Sequence, residues 1–219
     1  MTSIKSFQHA LLDFDGTLVN TIPSLYKAYQ EFTDIMHINA SKNEFDRLNG
    51  PSILEACQYF KDTYAIKTSV ENIFATYQKC IQKHYQGSDF FDNADQLLEL
   101  MQQNDIRIHL VTSNNQENVQ PLLQKFHWAH FFSSQTFGTE VTTSKPNPAI
   151  YQHVLHKDRS INANNSFVLE DSIHGVTAAH QAGLQVYAIA EKNIHLRLQD
   201  KGAIKTFVTI DEVIKSLLS

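Results

Sequence analysis

Short apolar runs around residues 7–15, 106–113, 167–170, 186–190 and 207–210 alternate with stretches whose apolar positions recur at helical spacing. That alternation restricts the chain to an α/β architecture. Strands buried on both faces pair in parallel, and the helices between them cover the two faces of the sheet. Open sheets of this kind bind ligands beyond the carboxyl ends of their strands. Chemistry is therefore expected where the runs end.

The residues at those ends are polar or charged. The first run closes on Asp13-Phe14-Asp15-Gly16-Thr17-Leu18, and since alternate residues of a strand share a face, Asp13 and Asp15 are expected to point the same way. Two such acids repel unless a cation lies between them or one keeps its proton. An Asp-Gly-Thr turn without chemistry would read the same way. The second run closes on Thr112-Ser113-Asn114, a hydroxyl and an amide suited to phosphate oxygens. Further on, Ser144-Lys145-Pro146-Asn147-Pro148 sets a lysine just ahead of two prolines that forbid a regular helix across it. The third run closes on Glu170-Asp171-Ser172, with Gly175-Val176 and a small-residue helix behind it. Taken singly, these segments read as a helix cap, a solvated surface charge and a dipole partner. None of those readings predicts the order of acid pair, hydroxyl, lysine and acid pair.

From Pro23 to about Gly87 the pattern changes, with Leu25, Tyr29 and Phe32, then Ile53, Cys57 and Phe60, at helical intervals and no strand run. This predicts a helical insertion over 21–87 in a core made of 1–20 and 88–219. Asn49-Gly50-Pro51-Ser52 reads as a turn that starts a helix, with Pro51 at its first position. It is expected to face substrate, although a plain helix connector fits equally well. Pro121 predicts a helix that starts late or kinks there.

At 219 residues with 42% hydrophobic content, the chain suits one large domain or a core with an insertion. A net charge of -5 without a Lys/Arg cluster argues against a nucleic-acid partner. The longest apolar stretches have only strand length, so no membrane partner and a cytoplasmic location are expected, as monomer or homodimer. Cys57 and Cys80 share no metal-ligand spacing and read as reduced and buried. The eleven histidines form no zinc-type grouping. His174 reads as a surface or capping residue, although its place after Ser172 could bring it near a site mouth.

Over nearly its whole length the chain resembles the haloacid dehalogenase-like (HAD) hydrolases. Asp13-Phe14-Asp15-Gly16-Thr17-Leu18 is similar to their first motif, Thr112-Ser113-Asn114 to the second, Lys145-Pro146-Asn147-Pro148-Ala149-Ile150-Tyr151 to the third, and Leu169-Glu170-Asp171-Ser172 with Gly175-Val176 to the fourth. Thr21-Ile22-Pro23 and Glu170-Asp171-Ser172 look most like the phosphoglycolate phosphatase and β-phosphoglucomutase group. The resemblance implies a Rossmann-like parallel sheet with helices on both faces and a helical cap joined by linkers near Thr21 and Ser88-Asp89.

Two-step phosphoryl transfer from a small phosphate ester to water, through an aspartyl phosphate, suits these residue types. Asp13 would be the nucleophile, and Asp15 the acid and then the base, keeping its proton near neutral pH through like-charge repulsion. Asp13, Asp15, Glu170 and Asp171 set four potential negative charges against Lys145, so a hard cation, Mg²⁺, is required to admit a phosphate. By resemblance its ligands would be Asp13, the main-chain carbonyl of Asp15, and Asp171, with Glu170 beside or just behind them. Ser113, Asn114 and Lys145 would hold the transferring oxygens, with Gly16, Thr17 and Gly50 also on the substrate side.

The chain departs from its relatives at Asn20-Thr21, where many members carry Asp-Thr. It departs again at Leu25 and Ile53, where a mutase of the β-phosphoglucomutase type would carry a histidine and an arginine. Hydrolysis is the expected reaction. A sugar phosphomutase or phosphotransferase, or a catalytically weak phosphate-binding regulator, are the alternatives. Thr21-Ile22-Pro23-Ser24-Leu25 makes phosphoglycolate the leading substrate expectation, beside sugar phosphates and nucleotides.

Overall fold

A computed structural model describes residues 4–39, 41–48 and 50–219, so Asn49 of the expected turn lies outside the described residues. The first strand, β1, spans His9–Leu12, and four helices follow with no strand between them: α1 (Ile22–Met36), α2 (Lys42–Leu48), α3 (Ile53–Thr63) and α4 (Val70–Tyr85). The chain then runs α5 (Ala94–Gln103), β2 (Arg107–Thr112), α6 (Gln116–Lys125), β3 (Phe132–Phe137) and α7 (Ala149–Lys157). It closes with β4 (Ser166–Glu170), α8 (Ile173–Gln181), β5 (Val186–Ile189), α9 (His195–Asp200), β6 (Ala203–Phe207) and α10 (Ile210–Leu218).

All six strands are parallel, in the order β3-β2-β1-β4-β5-β6. Alternation along each strand sends side chains to two separate cores. Ala10, Leu12, Leu110, Phe167 and Leu169 join the cluster that also takes Leu97 and Met101 of α5 and Val213 of α10. Leu11, Val111 and Val168 face the opposite way, into Tyr151 and Val154 of α7 and Ala178 and Ala179 of α8. Strand order reverses direction at β1 and β4, and their carboxyl ends therefore frame a crevice rather than a crossover. Leu12 pairs with both Leu110 and Leu169, so Asp13 follows at the register of Val111 and Glu170, and Asp171 and Ser113 emerge one and two residues beyond it.

Within residues 22–85, α1 packs along α4 and α4 along α3, with Phe32, Phe60 and Tyr77 in mutual aromatic contact. The chain leaves and re-enters the sheet region side by side: Asn20 N donates to Asp89 O at 2.9 Å and Phe91 N to Leu18 O at 3.0 Å. Cys57 and Cys80 are both free and buried, and burial pushes the Cys57 thiol up to about 12.

Three local expectations need correction. The strand expected at 207–210 lies earlier, at β6, and Ile210 instead begins α10, whose first turn is capped by the Thr209 hydroxyl accepting from Glu212 N. The sequence Ala-Ile-Lys-Thr-Phe is only half buried on this edge of the sheet, so it lacks an apolar run. On the other edge, β3 was not anticipated, because its middle reads Ser-Ser-Gln-Thr. The helix over Pro121 does not start late; α6 begins at Gln116 and continues through the proline, with buried Val119, Leu122 and Leu123 anchoring it. No helix among the described residues is long and apolar enough to cross a membrane.

Candidate active site

Asp13 is the first residue past β1, 6% exposed and fixed from two sides. The Lys145 ammonium donates to its Oδ1 at 2.7 Å, and the Thr17 hydroxyl approaches Oδ2 at 3.3 Å. Thr17 comes back toward Asp13 because the chain reverses at Gly16, whose φ of 83° suits glycine. A side chain there is excluded for a second reason: its Cβ would lie 2.1 Å from Asp171 Oδ2. Gly16 thus lets the two carboxylate-bearing loops close on each other.

Lys145 is 3% exposed, and the nitrogen that serves Asp13 also donates to Glu170 Oε1 at 2.6 Å and to Val111 O at 3.2 Å. Burial alone would lower its pKa, but the two acids hold it well above the usual lysine range. Glu170 is saturated with donors. The Tyr151 hydroxyl reaches its Oε1 at 2.8 Å, and Asp171 N and the Ser172 hydroxyl reach its Oε2 at 3.2 and 3.3 Å. Gly175 makes room for it, since a Cβ there would stand 2.0 Å from the carboxylate.

Asp15 is held by different groups. The Tyr85 hydroxyl, from the end of α4, donates to its Oδ1 at 2.6 Å, while Asn114 Nδ2 and the Thr112 hydroxyl approach Oδ2 at 3.1 and 3.4 Å. Asn114 is oriented in turn by Asn118, whose amide donates to Asn114 Oδ1 at 2.8 Å, and Asn118 Oδ1 accepts from Gln78 Nε2 at 2.6 Å. In this arrangement the Asn114 amide serves Asp15. Ser113 is different: its Oγ is buried without a hydrogen-bond partner among the described residues.

Carboxylate oxygens of Asp13, Glu170 and Asp171 lie within 4.8 Å of one another, an all-oxygen donor set of the kind hard divalent cations take. Burial and the repulsion of Glu170 and Asp15, offset by Lys145, bring Asp13 up to about 8. Burial and the Asp13 and Glu170 charges push Asp171 well above the usual carboxylate range. Such a cluster is short of positive charge, which is the condition a bound cation relieves. With Glu170 already satisfied, Asp13 and Asp171 are the side chains with capacity for one.

These groups line a cavity of about 90 Å³ whose opposite wall comes from the helices at 22–85, including Leu25, Gly50, Pro51 and Ile53. Of the expected turn, Gly50 and Pro51 thus stand at the cavity, and the His174 ring packs where a Gly50 Cβ would be. A contact behind Lys145 ties the two walls: Ser52 N donates to Ser144 Oγ at 3.1 Å, and the Ser144 hydroxyl donates to Glu55. Thr112 and Tyr151 were named within the motifs but given no role, and Tyr85, Asn118 and the Ser144–Glu55 contact went unanticipated. Tyr151 stands six residues after Lys145 and Thr112 beside Ser113; only the others join segments too distant for sequence spacing to connect.

The profile of the haloacid dehalogenase-like hydrolases matches residues 10–189. The phosphorylated carbohydrates phosphatase of Thermotoga maritima is 26% identical over 212 residues, covering 94% of this chain and 96% of that protein. The phosphoglycolate phosphatase of Aliivibrio fischeri is 24% identical over 186 residues, covering 81% of this chain and 81% of that protein. Among solved structures, CbbY from Rhodobacter sphaeroides in complex with phosphate shares the fold with a TM-score of 0.82 at 20% identity, over 94% of this chain and 96% of that one. The chain belongs to the haloacid dehalogenase-like hydrolases. Within that class it is a hydrolase of phosphoric monoesters.

Proposed function

We propose that the protein is a Mg²⁺-dependent phosphatase that cleaves a small phosphorylated metabolite through an aspartyl phosphate on Asp13. The observation that carries this reading is the convergence of Asp13, Asp15, Ser113, Lys145 and Asp171 on one cavity at the carboxyl ends of β1, β2 and β4. A carboxylate held at 2.7 Å by a buried lysine is a fixed nucleophile. Its oxygen attacks phosphorus while the bond to the leaving oxygen breaks, and Asp15 delivers a proton to that oxygen. In the second step Asp15 takes a proton from water, the water oxygen bonds to phosphorus, and the bond to Asp13 breaks, releasing inorganic phosphate. Tyr85 and Thr112 keep Asp15 aimed through both steps.

Ser113 and Lys145 are the donors proposed for the phosphoryl oxygens, and the unpartnered Ser113 Oγ supports that assignment: a buried hydroxyl left without a partner is one a ligand can satisfy. Asn114 contributes through Asp15. Held by Asp13 and Asp171, with the Asp15 carbonyl as the resemblance implies, Mg²⁺ would neutralise the incoming phosphate. Glu170 is assigned to holding Lys145.

The helices at 22–85 act in this reading as a cap over the cavity, hinged where residues 18–20 and 89–91 run side by side. Closure of a cap excludes water from the transfer step. Leu25 and Ile53 both line the cavity, so the positions where a mutase would carry its histidine and arginine offer no such groups. Reduced, buried Cys57 and Cys80 suit a cytoplasmic location.

The test is phosphate release from a panel of monoesters with Mg²⁺, with chelator, and in Asp13→Asn. Turnover that vanishes in the last two conditions is expected. An Asp13→Asn enzyme with unchanged rate would refute the nucleophile, and an isomerised sugar phosphate in place of free phosphate would refute hydrolysis.

A further inference from the structure

The cavity has two unlike halves, and the second half reports on the leaving group. Phosphate-side groups come from the strand ends and the loop before α7: three aspartates, Thr112, Ser113, Asn114, Ser172 and Lys145. Among the described residues the side chains of the facing wall, chiefly Leu25, Phe45, Leu48, Ile53 and Ile81, are hydrocarbon except for the phenol of Tyr77. Phe45, Tyr77 and Ile81 are buried within the helical layer, so this wall is built and packed. Among the described lining residues Lys145 is the single cation, and it is already engaged by Asp13 and Glu170.

From this asymmetry we propose that the enzyme selects phosphate monoesters of uncharged alcohols whose body is mainly hydrocarbon, aliphatic or aromatic, over esters that carry a carboxylate or many hydroxyls. The inference rests on the phosphatase reading above and narrows its substrate class. A carboxylate on the leaving group would be stripped of water against hydrocarbon with no cation but the engaged Lys145 among the described lining residues, in a cavity that already holds excess negative charge. A polyol would likewise lose its water for one phenol and the backbone around Gly50. A hydrocarbon body loses nothing on leaving water and meets like surface at Leu25, Ile53 and Ile81.

The experiment compares kcat/KM for benzyl phosphate, phosphoglycolate and glucose 6-phosphate under the same Mg²⁺ concentration, beside calorimetric binding of two inert mimics, benzylphosphonate and phosphonoacetate. Benzyl phosphate is expected to exceed both others by about tenfold or more, and benzylphosphonate to bind more tightly than phosphonoacetate, because a charged group facing unpaired hydrocarbon is penalised far more than a missing methylene. Ile53→Arg, which places a cation on the wall, is expected to reverse the preference toward phosphoglycolate. Equal or higher efficiency with phosphoglycolate or glucose 6-phosphate in the unmodified enzyme overturns the proposal. Equal or tighter binding of phosphonoacetate, or binding of neither mimic, also overturns it. Hydrolysis of none of the three esters alongside preferential binding of benzylphosphonate would refute the phosphatase reading while leaving the wall's selectivity standing.

Discussion

Acidification is expected to weaken the fold at two histidines on the end of the sheet away from the cavity. His9 and His109 begin or lie early in β1 and β2, both fully enclosed, with Nδ1 of His9 3.0 Å from Nε2 of His109. The polarity of that contact is set by its neighbours. Arg107 can only donate, and its guanidinium stands 3.0 Å from His9 Nε2, so that nitrogen accepts and His9 donates from Nδ1. His109 must then accept at Nε2 and donate from Nδ1 to the Ser134 hydroxyl at 2.8 Å. The remaining groups around the pair are Ser160, 3.3 Å from His9 Nε2, and Asp158, which pairs with Arg107 at 3.4 Å. A further proton on either ring would set two N–H groups against each other or against Arg107. Burial lowers both histidines, and together with the His9 and Arg107 charges it takes His109 from 6.5 to about 4. The unfolded chain binds its proton as pH falls through the ordinary histidine value and the folded chain only near 4, so stability is whole above that ordinary value and is lost between the two. The difference for His109 is about 3 kcal/mol, or roughly 10 °C in Tm for a chain of this size. Urea unfolding followed by the fluorescence of Trp128 at a series of pH values, in the natural protein and in a His9→Leu/His109→Leu double variant, isolates this part from the carboxylates. The natural protein is expected to show the steeper loss over that window. Identical pH slopes, or a His109 imidazole that titrates near its ordinary value in the folded protein by NMR, would refute the tautomer chain.

Ser113→Ala removes a hydroxyl that has no partner among the described residues, so Tm is expected to stay within about 2 °C while kcat/KM falls by about 10- to 100-fold; a large loss of Tm would show that Oγ has a structural partner. Gly175→Ala drives a methyl into the Glu170 carboxylate at 2.0 Å and is expected to destabilise by about 2–4 kcal/mol with loss of turnover, as read by thermal unfolding and phosphate release. Glu55→Gln weakens the contact with Ser144 beside Lys145, and is expected to change kcat and KM together by several-fold with little change in unfolding midpoint; steady-state kinetics that match the natural enzyme would show the contact to be idle.

The strands at the centre of the sheet were legible because they are buried on both faces. Leu11, Val111 and Val168 give continuous apolar runs that no solvent-facing alternation interrupts. Edge strands lack that signal: β3 exposes Ser133 and β6 exposes Ile204, each pairs on one side only, and the half-buried polar residues that follow, such as Ser134 and Lys205, disguise them. The candidates Asp13, Ser113 and Asp171 could be singled out one by one, since each follows an apolar run, and Lys145 because it stands just ahead of two prolines. Their supports could not. Tyr85 reaches Asp15 across 70 residues of sequence and Ser144 reaches Glu55 across 89, and a contact of that separation leaves no spacing to recognise. Asn114 shows the same gap differently: its place in the motif was evident, but its attachment to Asp15 depends on Asn118 and Gln78 arriving from two helices.

The second acid pair resolves into two tasks once the hydrogen bonds are followed. A buried lysine facing a single carboxylate would form a neutral pair, with its geometry tied to that one partner. Here Lys145 is bound by Asp13 and by Glu170, and Glu170 is itself anchored by Tyr151 and the start of α8. On the proposed mechanism Asp13 gives up its charge when its oxygen bonds to phosphorus. The attraction between Lys145 and Asp13 then weakens at the moment when charge gathers on the phosphoryl oxygens, while Glu170 keeps the ammonium where it is. An immobile cation released from one partner to the next stabilises the transferring group without moving, which is the condition under which electrostatic catalysis costs no reorganisation. Glu170 is in this sense a positioning residue, and its enclosure is the reason it can hold a lysine that must not follow its substrate out.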